Sequence, residues 1–405
     1  MRRLISSNWM LCALALSLGG APLAAQEQKT LSLEALVPDW QNVIPEGCEH
    51  QVPQLPARIV QTVQGELLAL GGSIVPLTRY GMGERLVLNA RAVILDAAVD
   101  GQGDIWVGGR TNQRAWFPGA DMADAYLGKF ARNGTKLAEF QFGSRVWRQI
   151  VALHPLKDGD ILVTGPIERS SARNGAWLAR LSSIGKIRWE RILGLPRDGA
   201  IAEGRDGNIA FVGLRQANLA GQAYREEVVF WLFDRHGNTL VEQVIRSDSN
   251  VHAGERYEAV ALEASADGYF VLAGSHNPSN ETPISVAKLS LAGLEQWRLS
   301  LPHTTSPWPG RSSVWRKCDA RQTVLANGDL LMTCSIAGEL LLTRLNGKTG
   351  TENTQRVALP ACHEKRPAVV TPVRAKNDAV LLVGSRPMSN IAASCSWMAE
   401  WPVGR

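Results

Sequence analysis

The sequence runs to 405 residues, with 43 Lys and Arg against 38 Asp and Glu, a formal net charge of +5 and a 45% hydrophobic composition. So balanced a charge excludes a nucleic-acid partner recruited by bulk electrostatics. Length admits two or three average domains or one long all-β unit, and nothing after the N-terminal leader approaches the ~20 apolar residues of a membrane-spanning helix.

Residues 1–25 read as a secretory signal peptide, in which Arg2 and Arg3 make the basic start, Trp9 to Leu18 the apolar centre, and small residues lead to cleavage after Ala25. Cys12 follows Trp9, Met10 and Leu11 rather than the small residues of a lipoprotein site, and the rest of a twin-arginine motif is missing. Export in the unfolded state is therefore expected, to the periplasm, with full secretion as the alternative. Cleavage removes two arginines and no acids, so 43 less two leaves 41 basic residues against 38 acidic, net +3.

Residues 26–54 form an N-terminal segment, and Thr30 to Val37 is predicted to return as the strand that completes the last repeat and closes the ring. An oxidising compartment permits disulfides among the five mature cysteines, Cys48, Cys318, Cys334, Cys362 and Cys395. None has C-x-x-C spacing, so pairing is favoured over metal binding. Cys318 and Cys334 stand almost opposite each other across one predicted hairpin and are the preferred pair. A bond from Cys48 to Cys362 or Cys395 would instead tie the N-terminal segment to the last repeat, closing a long loop.

From residue 55 to 405 the chain repeats. A turn residue followed six positions later by a small one, with an apolar run between, occurs seven times: Gly65 and Gly71, Gly103 and Gly109, Gly159 and Gly165, Gly207 and Gly213, Gly268 and Gly274, Gly328 and Cys334, Asp378 and Gly384. Most of the turns carry Asp-Gly or Asn-Gly, the chemistry of tight hairpins. The runs between, such as ILVT before Gly165 and YFVLA before Gly274, are apolar at nearly every position, which marks strands covered on both faces.

A second signature follows most hairpins: an apolar-basic-apolar strand, a turn glycine, then a strand often carrying Trp. Trp177 to Leu181 leads to Gly185 and Trp189, and Val286 to Leu289 leads to Gly293 and Trp297. Four strands per repeat result. Turn-to-turn intervals of 38, 56, 48, 61, 60 and 50 residues average about 52, near the ~40 to 50 of propeller repeats. The expected fold is all-β, a seven-bladed β-propeller of four-stranded antiparallel blades. The short first repeat, Arg58 to Leu88, is the one whose packing elsewhere would make the count six.

The segments DGDILVTG with WLARLSSIGKIRW, and ADGYFVLAG with VAKLSLAGLEQW, resemble the DGGYVVAG…LxKLDxxGxxxW repeats of bacterial exported propellers, a group that shades into the quinoprotein-like propellers. The likeness covers residues 56–401 and implies the fold without specifying an activity. The tryptophan-docking motif of quinone-dependent dehydrogenases is missing, so no cofactor is expected.

In a propeller the loops entering the innermost strand, and those joining the second and third, share one face. A basic residue precedes each innermost strand: Arg58, Arg91, Arg148, Arg197, Arg256, Arg316 with Lys317, and Arg366. Arg110, Arg114, Arg169, Arg173, Arg215 and Arg386 follow second strands on the same predicted face. One reading is a funnel for an anionic ligand or an acidic protein patch; the other is a solvated rim paired with acids such as Glu168, Asp198, Glu255 and Glu364. Trp116, Trp308 and Trp315 fall in the longer loops, where an exposed aromatic anchors a sugar or protein unless it folds back on its loop.

His252, His276 and His303 fall in neighbouring loops of that face, and with Glu255 they make a candidate acid/base site. Three scattered loop histidines are more often surface residues, and no His-x-His or His-x-x-x-His spacing points to a metal. Phosphate loops, G-x-S-x-G elbows and H-E-x-x-H are missing. The leading expectation is a monomeric, non-catalytic binding module of the envelope, of assembly or toxin-neutralising type. Its partner would be another envelope protein or an anionic ligand, and its binding residues Arg110, Arg215, Arg386, Arg148, Arg256, Arg316, Trp116, Trp308 and Trp315. The alternative is a lyase or hydrolase acting through the loop histidines on an anionic or carbohydrate substrate.

Overall fold

A computed structural model describes residues 31–32, 58–61, 67–70, 73–78, 81–82, 86–88, 92–111, 124–143, 147–168, 175–194, 199–218, 224–247, 256–276, 284–301, 321–336, 339–358, 369–374, 380–385 and 396–401. These residues are all-β, without a helix, and their strands pair into seven sheets. Sheet two is typical: Ala92–Val99, Ile105–Thr111, Ala125–Phe130 and Lys136–Phe142, each antiparallel to the next. Sheet three holds Ala152–Pro155, Ile161–Glu168, Gly175–Leu181 and Ile187–Leu193, with Trp147–Arg148 added to its second strand.

Sheet four runs Ala200–Glu203, Ile209–Asn218, Tyr224–Phe233, Thr239–Ser247, and sheet five Arg256–Ser265, Gly268–His276, Ile284–Ser290, Glu295–Leu301. Sheet six is Arg321–Val324, Leu330–Ile336, Glu339–Leu345 and Glu352–Ala358; sheet seven has three described strands, Val369–Arg374, Val380–Ser385 and Ser396–Trp401. In sheet one, Arg58–Gln61, Leu67–Leu70 and Ser73–Thr78 are followed by two short pieces, Gly81–Met82 and Leu86–Val87, on the same third strand. First strands lie beside first strands in chain order, and Arg58–Gln61 lies beside both Ala92–Val99 and Val369–Arg374.

The core sits between sheets, which is why second and third strands are apolar on both faces. Trp106, Leu127, Val163 and Trp177 fill the space between sheets two and three, and Val212, Phe230, Tyr269 and Val271 that between four and five. Leu68, Leu70 and Ile74 pack with Ile105 and Tyr126, so the short first repeat joins the same stack.

The hairpins follow from local chemistry. In the turn after Ala152–Pro155, Gly159 has φ 87°, a conformation open to glycine and strained for other residues, and its N–H donates to Leu156 O at 3.0 Å. The basic residue of the third strand then clamps this turn. Arg180 Nε donates to Asp160 Oδ2 at 2.8 Å, Lys129 reaches Asp104 at 2.9 Å, Lys288 reaches Asp267 at 2.7 Å, and Arg344 reaches Asp329 at 2.7 Å. The recurring apolar-basic-apolar strand is thus a turn-holding device.

Outer strands hold the next sheet. Trp189 packs on Gly237, whose φ is 81° and where a Cβ would lie 2.7 Å from the indole. Trp297 Nε1 donates to Gly347 O at 3.1 Å, and Gln243 Nε2 to Gly293 O at 2.6 Å. These turns and the strands that receive them therefore lie at one end of the stack, sheet after sheet.

The N-terminal segment departs from expectation. Leu31–Ser32 pairs in parallel with Val357 and Ala358 at the outer edge of sheet six, and not with sheet seven. An outer strand leaves one edge of backbone groups free to take a further strand, and this dipeptide lies on that of sheet six.

Candidate functional site

Antiparallel pairing separates two kinds of connection. First-to-second and third-to-fourth strands are joined by two to six residues, as at 266–267, 156–160 and 346–351. The opposite end carries the long ones, 112–124, 302–320, 359–368 and 386–395. The residues expected from sequence to form a site belong to connections and strand ends on this second side of the pairing. Trp116, His252, Glu255, His303, Trp308, Trp315, Arg316, Arg386, Cys48, Cys318, Cys362 and Cys395 lie outside the described residues.

Five candidates, Arg110, Arg148, Arg215, Arg256 and His276, lie on strands. Arg110, next to the last residue of the second strand of sheet two, is exposed. Arg215, on the second strand of sheet four, faces Glu227 on the third in register, donating from Nη2 at 2.8 Å and from Nε at 3.1 Å, and it also bonds Glu242 on the fourth. The hydrogen bond to Glu227 is the main reason its guanidinium titrates above the usual value. Arg148 lies 4.9 Å from the ring centre of Trp177 and 3.4 Å from Glu190, whose carboxylate also accepts the Trp177 indole N–H at 2.9 Å.

Arg215 and Arg148 are thus tied to outer strands of their own sheets, by acids other than those named from the sequence. A pair of strand residues this far apart in sequence, Arg215 and Glu242, becomes visible only with the register. Arg256 and His276 are register partners on the first and second strands of sheet five. Cys334, on the second strand of sheet six, is disulfide-bonded. Among the described residues no group of three or more His, Cys, Asp or Glu is arranged to hold a metal, and no helix is long and apolar enough to cross a membrane.

Sequence reasoning missed the buried carboxylates, Asp96 and Glu227 among them. Asp96, on the first strand of sheet two at a register irregularity, accepts the backbone N–H of Leu153 on the first strand of sheet three at 2.8 Å. An acid in an otherwise apolar inner strand was the available signal.

No family model and no curated protein matches the chain. Among solved structures, polysaccharide lyase Uly1 superposes with a TM-score of 0.52 at 10% identity, covering 90% of this chain and 95% of that one. An ulvan lyase bound to -[GlcA(1-4)Rha3S]- gives 0.51 at 10% identity, covering 85% and 93%. Virginiamycin B lyase from Staphylococcus aureus, in a catalytically inactive form with quinupristin, gives 0.50 at 12% identity, covering 84% and 93%. At such identity the likeness concerns the fold alone: the chain is an all-β protein of antiparallel sheets whose structural neighbours are β-propeller-like proteins.

Proposed function

We propose that the chain is an exported binding module of the bacterial envelope: a closed, seven-bladed propeller that holds another envelope protein, or an anionic ligand, at the end carrying its long connections. Closure is supported by Arg58–Gln61 lying beside both Ala92–Val99 and Val369–Arg374. The observation that carries the functional reading is the asymmetry of the two ends. Turns of two to six residues hold one end, while connections of ten or more, with Trp116, Trp308, Trp315, Arg316 and Arg386 among their residues, crowd the other. Loops longer than about 12 residues on a rigid scaffold are usually functional, and Trp and Arg are the residue types enriched at interface anchors. Residues 1–25 supply the export signal in this reading, and Cys318 is the partner assigned to Cys334.

The test is capture of envelope proteins by the exported chain at low and high salt, beside a variant carrying Arg110→Ala, Trp116→Ala and Arg386→Ala. A protein retained by the parent at low salt and lost with the variant supports the reading; identical profiles for parent and variant would refute it.

A second reading, a lyase, is favoured by one feature: the register of sheet five pairs His276 with Arg256, so a candidate base and a candidate carboxylate-binding cation share one position along its first two strands. The structural neighbours named above include lyases. Incubation with uronate-containing polysaccharide, followed by the absorbance of an unsaturated product, separates the readings. Product formed by the parent and not by His276→Ala would favour the enzyme.

A further inference from the structure

After two exposed residues, the outer strands of sheets two and five alternate half-buried and exposed residues to their ends, as expected of an edge with one face on a neighbour. Glu352–Ala358 of sheet six does not. Glu352 and Asn353 are exposed, Thr354, Gln355 and Arg356 are half-buried in succession, and Val357 is 0% exposed. Burial therefore rises on both faces towards the residues on which Leu31–Ser32 is paired.

Sheet six also lacks the device that covers the outer strands of sheets three, four and five. The residue in register with the clamp position of the third strand is Trp189 opposite Arg180, Val241 opposite Leu232 and Trp297 opposite Lys288, and each packs on a turn glycine of the next sheet. In sheet six that residue is Asn353, opposite Arg344, and it is exposed.

The geometry points to the outer edge of sheet six as a strand-addition site for an extended peptide, occupied by the chain's own N-terminal segment through Leu31 and Ser32. Such a site gains its affinity from main-chain hydrogen bonds. Two parallel residue pairs make a weak and reversible hold, since parallel pairing is the less stable kind. The occupant comes from the same molecule: residues 33–57 join Ser32 to Arg58, and ~80 Å of extended chain is ample to reach from sheet one to sheet six. Through Leu31 and Ser32 the chain ahead of sheet one is fastened to sheet six, and this hold is independent of what the long connections bind.

The experiment is hydrogen exchange on the full chain and on a variant carrying Leu31→Pro and Ser32→Pro, which removes both backbone donors. Exchange across Glu352–Ala358 should quicken by on the order of tenfold, while Glu295–Leu301 stays as in the parent. A peptide of residues 26–37, added in trans, should restore the protection. Unchanged exchange across Glu352–Ala358, or a parent dimer that the variant turns into a monomer, would overturn the proposal. Should the double variant lose protection throughout, a Leu31→Cys, Val357→Cys pair replaces it. Oxidation should then form an intramolecular disulfide, and failure to form one counts against the hold.

Discussion

Trp189 donates its indole Nε1–H to the backbone carbonyl of Arg235, 3.1 Å away in the next sheet. The same carbonyl accepts from Arg180 Nη1 at 2.8 Å. One oxygen in a turn of sheet four therefore binds both the outer-strand aromatic and the third-strand cation of sheet three. Stacking of sheets and holding of turns are coupled through a single group.

Trp189→Ala should cost about 3–5 kcal/mol, the range for removing a large buried aromatic, because Gly237 and Phe233 lose the ring they pack on. Trp189→Phe keeps an aromatic on Gly237 and gives up the hydrogen bond to Arg235, so about 1 kcal/mol is expected. Denaturant midpoints at an unchanged slope measure both; equal losses for the two variants would show that the bond, not the packing, dominates.

Asp96→Ala should destabilise by about 1–3 kcal/mol, since it leaves the Leu153 N–H without this acceptor in a buried place. Asp96→Asn keeps an acceptor oxygen and should cost less. The difference is read by thermal melting of the three proteins at the same pH.

Lys288 is a cation at 0% exposure, paired with Asp267, whose side chain is 53% exposed. Desolvation by burial lowers the lysine's pKa despite that partner. The matching position in sheet four is Leu232, in register with Ala210 as Lys288 is with Phe270. An apolar side chain is therefore compatible with this site, and Asp267 can turn to water. Lys288→Met should cost under about 1.5 kcal/mol or stabilise, whereas Lys288→Ala leaves a cavity and should cost about 2–5 kcal/mol.

The pair also sets a pH signature. Burial pulls the Asp267 carboxyl upward, but the hydrogen bonds from Lys288 and Ser265 outweigh it and hold its pKa below the usual carboxylate value. A lowered folded-state pKa contributes stability above the unfolded value of about 3.9 and loses it as pH falls through the folded one. For Lys288 the sign is opposite: its lowered pKa is a cost below the folded value, relieved as pH rises towards about 10.4. Asp267→Asn should therefore flatten the acid limb of stability against pH, and Lys288→Met the alkaline rise; parallel curves for variant and parent would contradict the assignment.

What the sequence disclosed was local. The Asp158, Gly159 and Asp160 turn and the covered strand that follows it depend on residues a few positions apart. The third-strand Arg180 was visible as a repeat signature, yet its work on Asp160, 20 residues away, needed the register. Trp189 on Gly237 needed the order of sheets as well. The placement of Leu31 turned on which edge stays open, a property of the assembled stack. Of the candidate residues, some fall on connections, where no hydrophobic period operates, and others, such as Arg148 and Arg215, on strands whose partners needed the register.

Arg215 and Arg110 were grouped by sequence and are separated by structure. Arg215→Ala removes the cation facing Glu227, which is 3% exposed. Leaving a buried carboxylate unpaired costs about 3–5 kcal/mol where both partners are buried. The Arg215 side chain is 35% exposed, so solvent screening reduces the expectation to about 1–3 kcal/mol. Arg110 is exposed and has no ion pair among the described residues, so Arg110→Ala should leave the melting temperature unchanged. If the long-connection end binds an anionic partner, Arg110→Ala weakens capture and steepens no melting defect. Arg215→Ala loses stability first and capture only through it. Melting and capture measured on the same two variants decide between a rim that binds and a rim that braces: weakened capture by Arg110→Ala at full stability is the mark of the former.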